Sequence, residues 1–414
     1  MMSMKILWQN EHYPDPIKGG GGAINTYYIV SALQRLGNEV VILARGVPGG
    51  ASLTENVDGI TIKRLPVPEL PARLWPLWPL LEPRYTRPSL LPFASEYEAF
   101  IGIDYSFALN AKKVYPTRPL IYRVEGLRIT HDSVVGANGG KAESASFPLR
   151  HRTLRRLMTF ENDLMERRAW SVADAIVVKS AFMKRELQAQ YPIAERKIHV
   201  IPNGVDFQRY ASAKVEKAVL ESAGNPNREK TMIIFCGRLV GMKNVPMLLQ
   251  AFSKMRLKDR CIVIIMGDGE EKPHLEDLAM KLGIAPKTKF LGHIANPEKF
   301  YAASDIFVLP SKYEPFGNAL VEAMAAGLPC VALDPSSEGI RTASAEILVD
   351  GKTGYLVQAD PTALARRLDE LVENPALRGD IGQEAQRVCM STYDWDSCAD
   401  NYLNLAKTLR RRRA

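Results

Sequence analysis

Short apolar runs closed by glycine or proline alternate with stretches of helical periodicity along this chain, and the alternation occurs twice. In the first half Met4 to Trp8, Glu39 to Ala44, Ile60 to Leu65, Glu98 to Ile103, Pro119 to Val124 and Ala175 to Val178 read as strands. Between the first two, Lys18-Gly19-Gly20-Gly21-Gly22-Ala23 reads as a glycine loop, followed by a helix through Tyr27, Ile29, Val30, Leu33 and Leu36 that Gly37 ends. Leu149 to Trp170 has helical spacing, and Ser180 opens another helix through Leu187. Pro202-Asn203-Gly204 is a turn, and a polar segment from Ala211 to Lys230 precedes a second start. There Met232 to Cys236, Cys261 to Met266, Phe290 to Ile294, Asp305 to Leu309 and Cys330 to Leu333 read as strands. Helices are predicted from Pro246 through Phe252 and over His274 to Leu282, Pro361 to Val372, Ala376 to Ser391 and Trp395 to Leu409. The pattern predicts an α/β protein of two doubly wound, Rossmann-like domains facing a central cleft.

One stretch concentrates candidate chemistry. Ser311 to Gly327 reads as the end of a strand, a loop broken by Pro315 and Gly317, and an apolar helix with Asn318 as its N-cap. Glu314 lies in the loop, and Glu322 lies in the helix eight residues on (322 − 314). A helix apolar on every side is buried, and an unpaired buried carboxylate is costly, so Glu322 needs a partner. That partner is either a salt bridge or helix-dipole contact, or a polar ligand whose phosphate meets helix N-terminal amides and whose hydroxyls meet the carboxylates. A second loop, Gly237-Arg238-Leu239-Val240-Gly241-Met242-Lys243-Asn244, follows a strand and precedes a helix. Arg238 and Lys243 there suit a diphosphate, the one through its planar fork and the other as a point charge.

Glu-Pro-Phe-Gly-x4-Glu, from Glu314 to Glu322, resembles the Glu-x7-Glu motif of retaining GT-B glycosyltransferases, especially glycosyltransferase family 4. Gly-Arg-Leu-x3-Lys at Gly237 is similar to that family's donor-diphosphate motif, and Ala173 to Phe207 to the end of its first domain. The resemblance implies domains at 1–206 for the acceptor and 207–392 for the nucleotide sugar, with a helix over 393–414 crossing back to the first. It implies a hexosyl transfer from a nucleoside diphosphate sugar, UDP-sugar favoured, to a glycan, lipid-linked or small-molecule acceptor. By the same resemblance Arg238 and Lys243 stabilise the leaving diphosphate, Glu314 positions the donor sugar and Glu322 binds ribose. Backbone amides of Phe316, Gly317 and Asn318, with Ala319 beside them, meet the diphosphate, and His293 and Ile294 lie against the base. Gly20, Gly21 and Gly22 close on donor phosphate and sugar. Where many members carry a histidine after a first-domain strand, this chain has Glu125, so Glu125, Arg128 and His131 are the acceptor-side candidates.

Composition narrows the alternatives. The chain has 414 residues, 46% hydrophobic and 24% charged, with net charge +8 (54 basic minus 46 acidic), which favours an anionic partner. Five cysteines without Cys-x-x-Cys spacing read as reduced thiols of a cytoplasmic protein, and six histidines lack metal-ligand spacing. No metal and no other cofactor is therefore expected. Ile6-Leu7-Trp8 is too short an apolar core for a signal peptide, and no stretch is apolar and long enough to span a bilayer. Leu70 to Phe93, rich in proline and holding Trp75 and Trp78, either covers the first domain's core or meets lipid or an apolar acceptor. With the arginines of Leu149 to Trp170, that second reading adds peripheral contact with an anionic membrane. The competing functions are a sugar phosphorylase or nucleotide-sugar epimerase on the same scaffold. A nucleic-acid-binding protein is suggested only by charge and the tail Arg410 to Arg413, and no nucleic-acid motif accompanies it.

Overall fold

The computed structural model describes residues 3–10, 16–48, 53–67, 83, 94–126 and 149–412. It separates into two compact units, one holding the described residues up to Gly204 together with Trp395 onward, the other Val205–Asp394.

In the first unit the strands are β1 (Lys5–Gln9), β2 (Glu39–Pro48), β3 (Leu53–Val57), β4 (Ile60–Val67), β5 (Ala99–Gly102), β6 (Leu120–Arg123), β7 (Ala175–Val178) and β8 (Ile198–Val200). They form one sheet in the order β3-β4-β2-β1-β5-β6-β7-β8, parallel except for the β3–β4 hairpin. Its helices are α1 (Pro16–Arg35), α2 (Tyr105–Val114), α3 (Leu149–Val172) and α4 (Ala181–Gln190). The C-terminal helix Trp395–Arg411 packs its buried face, including Tyr402, Leu403 and Ala406, into the same core as Trp8, Ile29 and Leu33. Tyr28 stacks on Trp395 with ring centroids 5.3 Å apart, and Arg35 pairs with Asp396.

The second unit adds short helices α5 (Phe207–Ala211) and α6 (Lys217–Ser222), then β9 (Thr231–Cys236), α7 (Val245–Lys254), β10 (Cys261–Met266), α8 (Lys272–Lys281) and β11 (Thr288–Gly292). After these come α9 (Glu298–Ala303), β12 (Ile306–Leu309), β13 (Tyr313–Glu314), α10 (Asn318–Ala325), β14 (Cys330–Leu333) and β15 (Arg341–Thr342). The rest is α11 (Ser344–Ile347), β16 (Gly354–Val357), α12 (Pro361–Glu373) and α13 (Pro375–Thr392), which makes the C-terminal helix α14. A parallel six-stranded sheet runs β11-β10-β9-β12-β14-β16, and β13 pairs with β15 beside it. The chain leaves β9 toward β10 on one side and returns to β12 on the other, so the sheet's switch point lies between β9 and β12. Ligands of open α/β sheets bind at the strand ends there.

Several expectations need correction. The four glycines are not a loop, because α1 begins at Pro16 and carries them in its first turns. Pro16 suits a first helical turn, and tertiary contacts offset the poor helix propensity of glycine. Asn10, at the end of β1, supplies such contacts by donating to the Gly22 carbonyl (3.3 Å) and the Thr26 hydroxyl (2.7 Å). Asn318 is the first residue of α10 rather than its cap, since Gly317 takes that position with φ 106°. Strand β11 ends at Gly292, so His293 and Ile294 lie beyond it. Helix α2 is an element the apolar periodicity does not predict, although Asp104 caps it, accepting from the Phe107 amide at 3.0 Å. The polar segment after Ala211 contains α6, and the Asp58-Gly59 turn, with φ 51° and 81°, makes an unassigned hairpin of β3 and β4.

Candidate active site

In the second unit three loops meet at the carboxyl ends of β9, β10 and β12. After β9, Gly237 donates its amide to the Met266 carbonyl (3.0 Å) and Leu239 to that of Asp268 (2.8 Å), lacing the Arg238 loop to the turn after β10. The approach is so close that a Cβ on Gly267 would lie 1.8 Å from the Gly237 carbonyl oxygen, and φ is 135° there. Only glycine fits. The chain then makes a short turn over Gly241–Lys243, and the Met242 carbonyl accepts from the Lys312 amide at 2.8 Å. That bond ties the β9 loop to the β12 loop across the switch point.

Lys243 and Glu314 project from these two loops and form an ion pair, Nζ to Oε2, at 2.5 Å. Glu314 is held by backbone as well: β13 pairs with β15 in register Glu314↔Thr342, and the Ala343 amide donates to the Glu314 carbonyl at 2.9 Å. Two buried hydroxyls of the same region, Ser311 Oγ and Thr342 Oγ1, have no hydrogen-bond partner among the described residues. Phe316 anchors the loop by burying its ring edge-on against Tyr393 at 5.9 Å, so only its backbone is available to a ligand. Gly317 follows in the left-handed region, where a Cβ would sit 3.4 Å from Glu314 Cγ, and α10 begins immediately after it. Its first amides, at Asn318 and Ala319, precede any intrahelical acceptor. Arg238 is exposed, as is His293, while Ile294 packs on the core edge.

Glu322, half-buried on α10, is not in a salt bridge among the described residues. Its partners are tyrosines: Tyr301 on α9 donates to Oε2 at 3.2 Å, and Tyr210 on α5 makes a second hydrogen bond. Burial raises the carboxyl's pKa above its ordinary value, outweighing these two bonds and the charge of Arg209, all of which act to lower it. Neither tyrosine was found from the sequence, because nothing in local spacing links positions 210, 301 and 322.

In the first unit Glu125 follows β6 and meets two cations. Its Oε1 lies 2.8 Å from Arg123 Nε, and its Oε2 accepts from Lys179, whose ammonium also donates to the Glu125 carbonyl at 3.1 Å. Arg123, fully buried, donates to Asn203 Oδ1 at 2.9 Å. Burial acts to raise the Glu125 pKa, yet the two positive charges hold it below its ordinary value. A Cβ on Gly22 would lie 3.8 Å from this carboxylate, so the glycine turns of α1 and Glu125 are neighbours. Gly20 and Gly21 belong to the same turns. Arg128 and His131 lie outside the described residues, as do Trp75 and Trp78. Among the described residues no three His, Cys, Asp or Glu side chains converge on a metal position, and no helix is long and apolar enough to cross a membrane. All five cysteines are free.

Two Rossmann-like units, one with a basic glycine loop and the Lys243–Glu314 pair at its switch point, have the architecture of a GT-B glycosyltransferase. Solved structures show the same fold. Sucrose-phosphate synthase from Thermosynechococcus elongatus matches over 98% of this chain and 99% of its own, with TM-score 0.76 and 18% identity. HepE of Anabaena, in complex with UDP-glucose, matches over 98% of this chain and 100% of its own, with TM-score 0.71 and 18% identity. Residues 19–209 match the family model "Glycosyltransferase Family 4" and residues 217–388 match "Glycosyl transferases group 1". An uncharacterized glycosyltransferase of Methanocaldococcus jannaschii is 27% identical over 98% of both chains. The chain belongs to glycosyltransferase family 4, and it is a sugar-transferring enzyme.

Proposed function

We propose that this glycosyltransferase moves a hexosyl group from a nucleoside diphosphate sugar, UDP-sugar favoured, to a glycan, lipid-linked or small-molecule acceptor with retention of configuration and without a metal ion. The observation that carries the reading is the Lys243–Glu314 pair, 2.5 Å apart at the switch point of the second unit and directly before the N-terminus of α10. Departure of a diphosphate develops negative charge, and fixed positive charge with helix amides stabilises it. Lys243 and Arg238 supply that charge, and the amides of Gly317, Asn318 and Ala319 add dipoles. When Lys243 turns to the diphosphate, the Glu314 carboxylate is left to accept sugar hydroxyls. Glu322, on helix α10 that follows, accepts from ribose. UDP-glucose bound to HepE, a protein of the same fold, supports the donor class. Glu125 belongs to the acceptor side, in the first unit, with its charge compensated by Arg123 and Lys179.

The test is product analysis of UDP-sugars with a panel of glycan and lipid-linked acceptors, with and without inorganic phosphate. Release of UDP with a product of unchanged anomeric configuration by proton NMR is expected. An inverted product, or sugar 1-phosphate formed only when phosphate is present, would refute it.

A further inference from the structure

Glu322 is gripped from behind by two phenols, and that grip has a construction of its own. Tyr301 lies fully buried on α9, with its hydroxyl 3.2 Å from Glu322 Oε2 and 3.4 Å from the Ala319 carbonyl oxygen. Tyr210 on α5 packs edge-on against it, centroids 5.6 Å apart, and bonds the same carboxylate. An ion pair locks the two short helices together, with Arg209 Nη2 2.9 Å and Nε 3.1 Å from Glu298 Oε2. Arg209 adjoins Tyr210, and Glu298 precedes Tyr301 by one helical turn, so the lock sets both rings. Cys236, at the end of β9, hydrogen-bonds Tyr301 from the sheet side.

A carboxylate offers about four lone-pair positions. Two phenols occupying some of them on the protein side restrict its rotation and leave the others for incoming donors. A ribose diol presents two hydroxyls of matching chemistry.

We propose that Tyr301 and Tyr210 are positioning residues of the nucleotide site, holding Glu322 in the orientation that accepts the ribose hydroxyls. This rests on the ribose role given to Glu322 above. The two ideas separate experimentally: wild-type affinity in Glu322→Gln would sink the ribose role, whereas wild-type affinity in the tyrosine variants alone sinks only the positioning role.

The experiment is calorimetric titration of the full chain with uridine diphosphate and, separately, with inorganic diphosphate. Wild type, Tyr301→Phe, Tyr210→Phe, Glu322→Gln and the Tyr301→Phe, Glu322→Gln double variant are compared. Phenylalanine keeps the ring packing, and Tyr210→Phe, on a different helix, carries the test if Tyr301→Phe does not fold. Each tyrosine variant is expected to weaken uridine diphosphate binding about fivefold to tenfold, the scale of one hydrogen bond, and to leave inorganic diphosphate unchanged. In the Glu322→Gln background, Tyr301→Phe is expected to change affinity by less than twofold, because the coupling runs through the carboxylate. Wild-type uridine diphosphate affinity in both tyrosine variants overturns the proposal. So does an equal loss for both ligands, or a full additional loss in the double variant. Failure of wild type to bind uridine diphosphate would instead sink the nucleotide reading itself.

Discussion

Replacing Lys243 by methionine separates what the Lys243–Glu314 pair does for the fold from what it does for catalysis. The two side chains are 17% and 11% exposed, so the substitution strands a nearly buried carboxylate at the switch point. Breaking a buried pair from one side costs 3–5 kcal/mol, and residual solvent access puts this case near the lower end, about 3 kcal/mol. The described residues of the second unit, Val205–Asp394, number 190 (394 − 205 + 1). At roughly 2–4 °C per kcal/mol for a domain of this size, its unfolding midpoint should fall by about 6–12 °C. Adding Glu314→Gln removes the stranded charge, so the double variant should recover most of that loss. Turnover behaves differently: without the cation at the diphosphate it should drop about a hundredfold or more, and the double variant should stay as slow. Differential scanning calorimetry and release of UDP from a UDP-sugar measure the two quantities. An unchanged midpoint in Lys243→Met shows that the pair carries no coupling. Turnover restored together with stability in the double variant reduces Lys243 to a structural counter-ion.

Other consequences follow from the same geometry. Because burial raises the Glu322 carboxyl in the folded chain, it contributes stability below its unfolded pKa, an ordinary glutamate's 4.5, and loses it as pH rises through the folded one. Glu322→Gln should therefore match wild type at pH 4 and unfold at a higher temperature than wild type at pH 7, while binding uridine diphosphate more weakly. Midpoints measured across that range, with no gain at pH 7, would contradict it. Gly267→Ala drives a methyl into the Gly237 carbonyl at 1.8 Å, and should cost several kcal/mol and eliminate measurable donor binding, read from chemical denaturation and titration with uridine diphosphate. Transfer should persist in excess chelator; loss of activity that magnesium or manganese restores would refute metal independence.

Local sequence determined the elements because burying a strand takes a short apolar run and starting a helix takes a cap, both written within a few neighbouring residues. Ala175–Val178, Cys261–Met266 and Cys330–Leu333 end where their apolar runs end, and Ser180 caps the helix it was expected to open. The carboxylates at 314 and 322 and the cations at 238 and 243 were likewise visible as chemistry that an apolar or glycine-rich setting does not otherwise need. What touches what was decided by the tertiary structure. Lys243 and Glu314 are 71 residues apart in sequence and meet only because β9 and β12 are sheet neighbours. The glycines of α1 lie in a helix that Asn10, just after β1, bonds at Gly22 and Thr26. Glu322 found tyrosines as its hydrogen-bond partners, since α5 and α9 bring phenols to it while the nearby Arg209 pairs with Glu298. Periodicity encodes which face of an element is buried, but not which element arrives to cover it, and that choice set the partners of Lys243, Glu314 and Glu322.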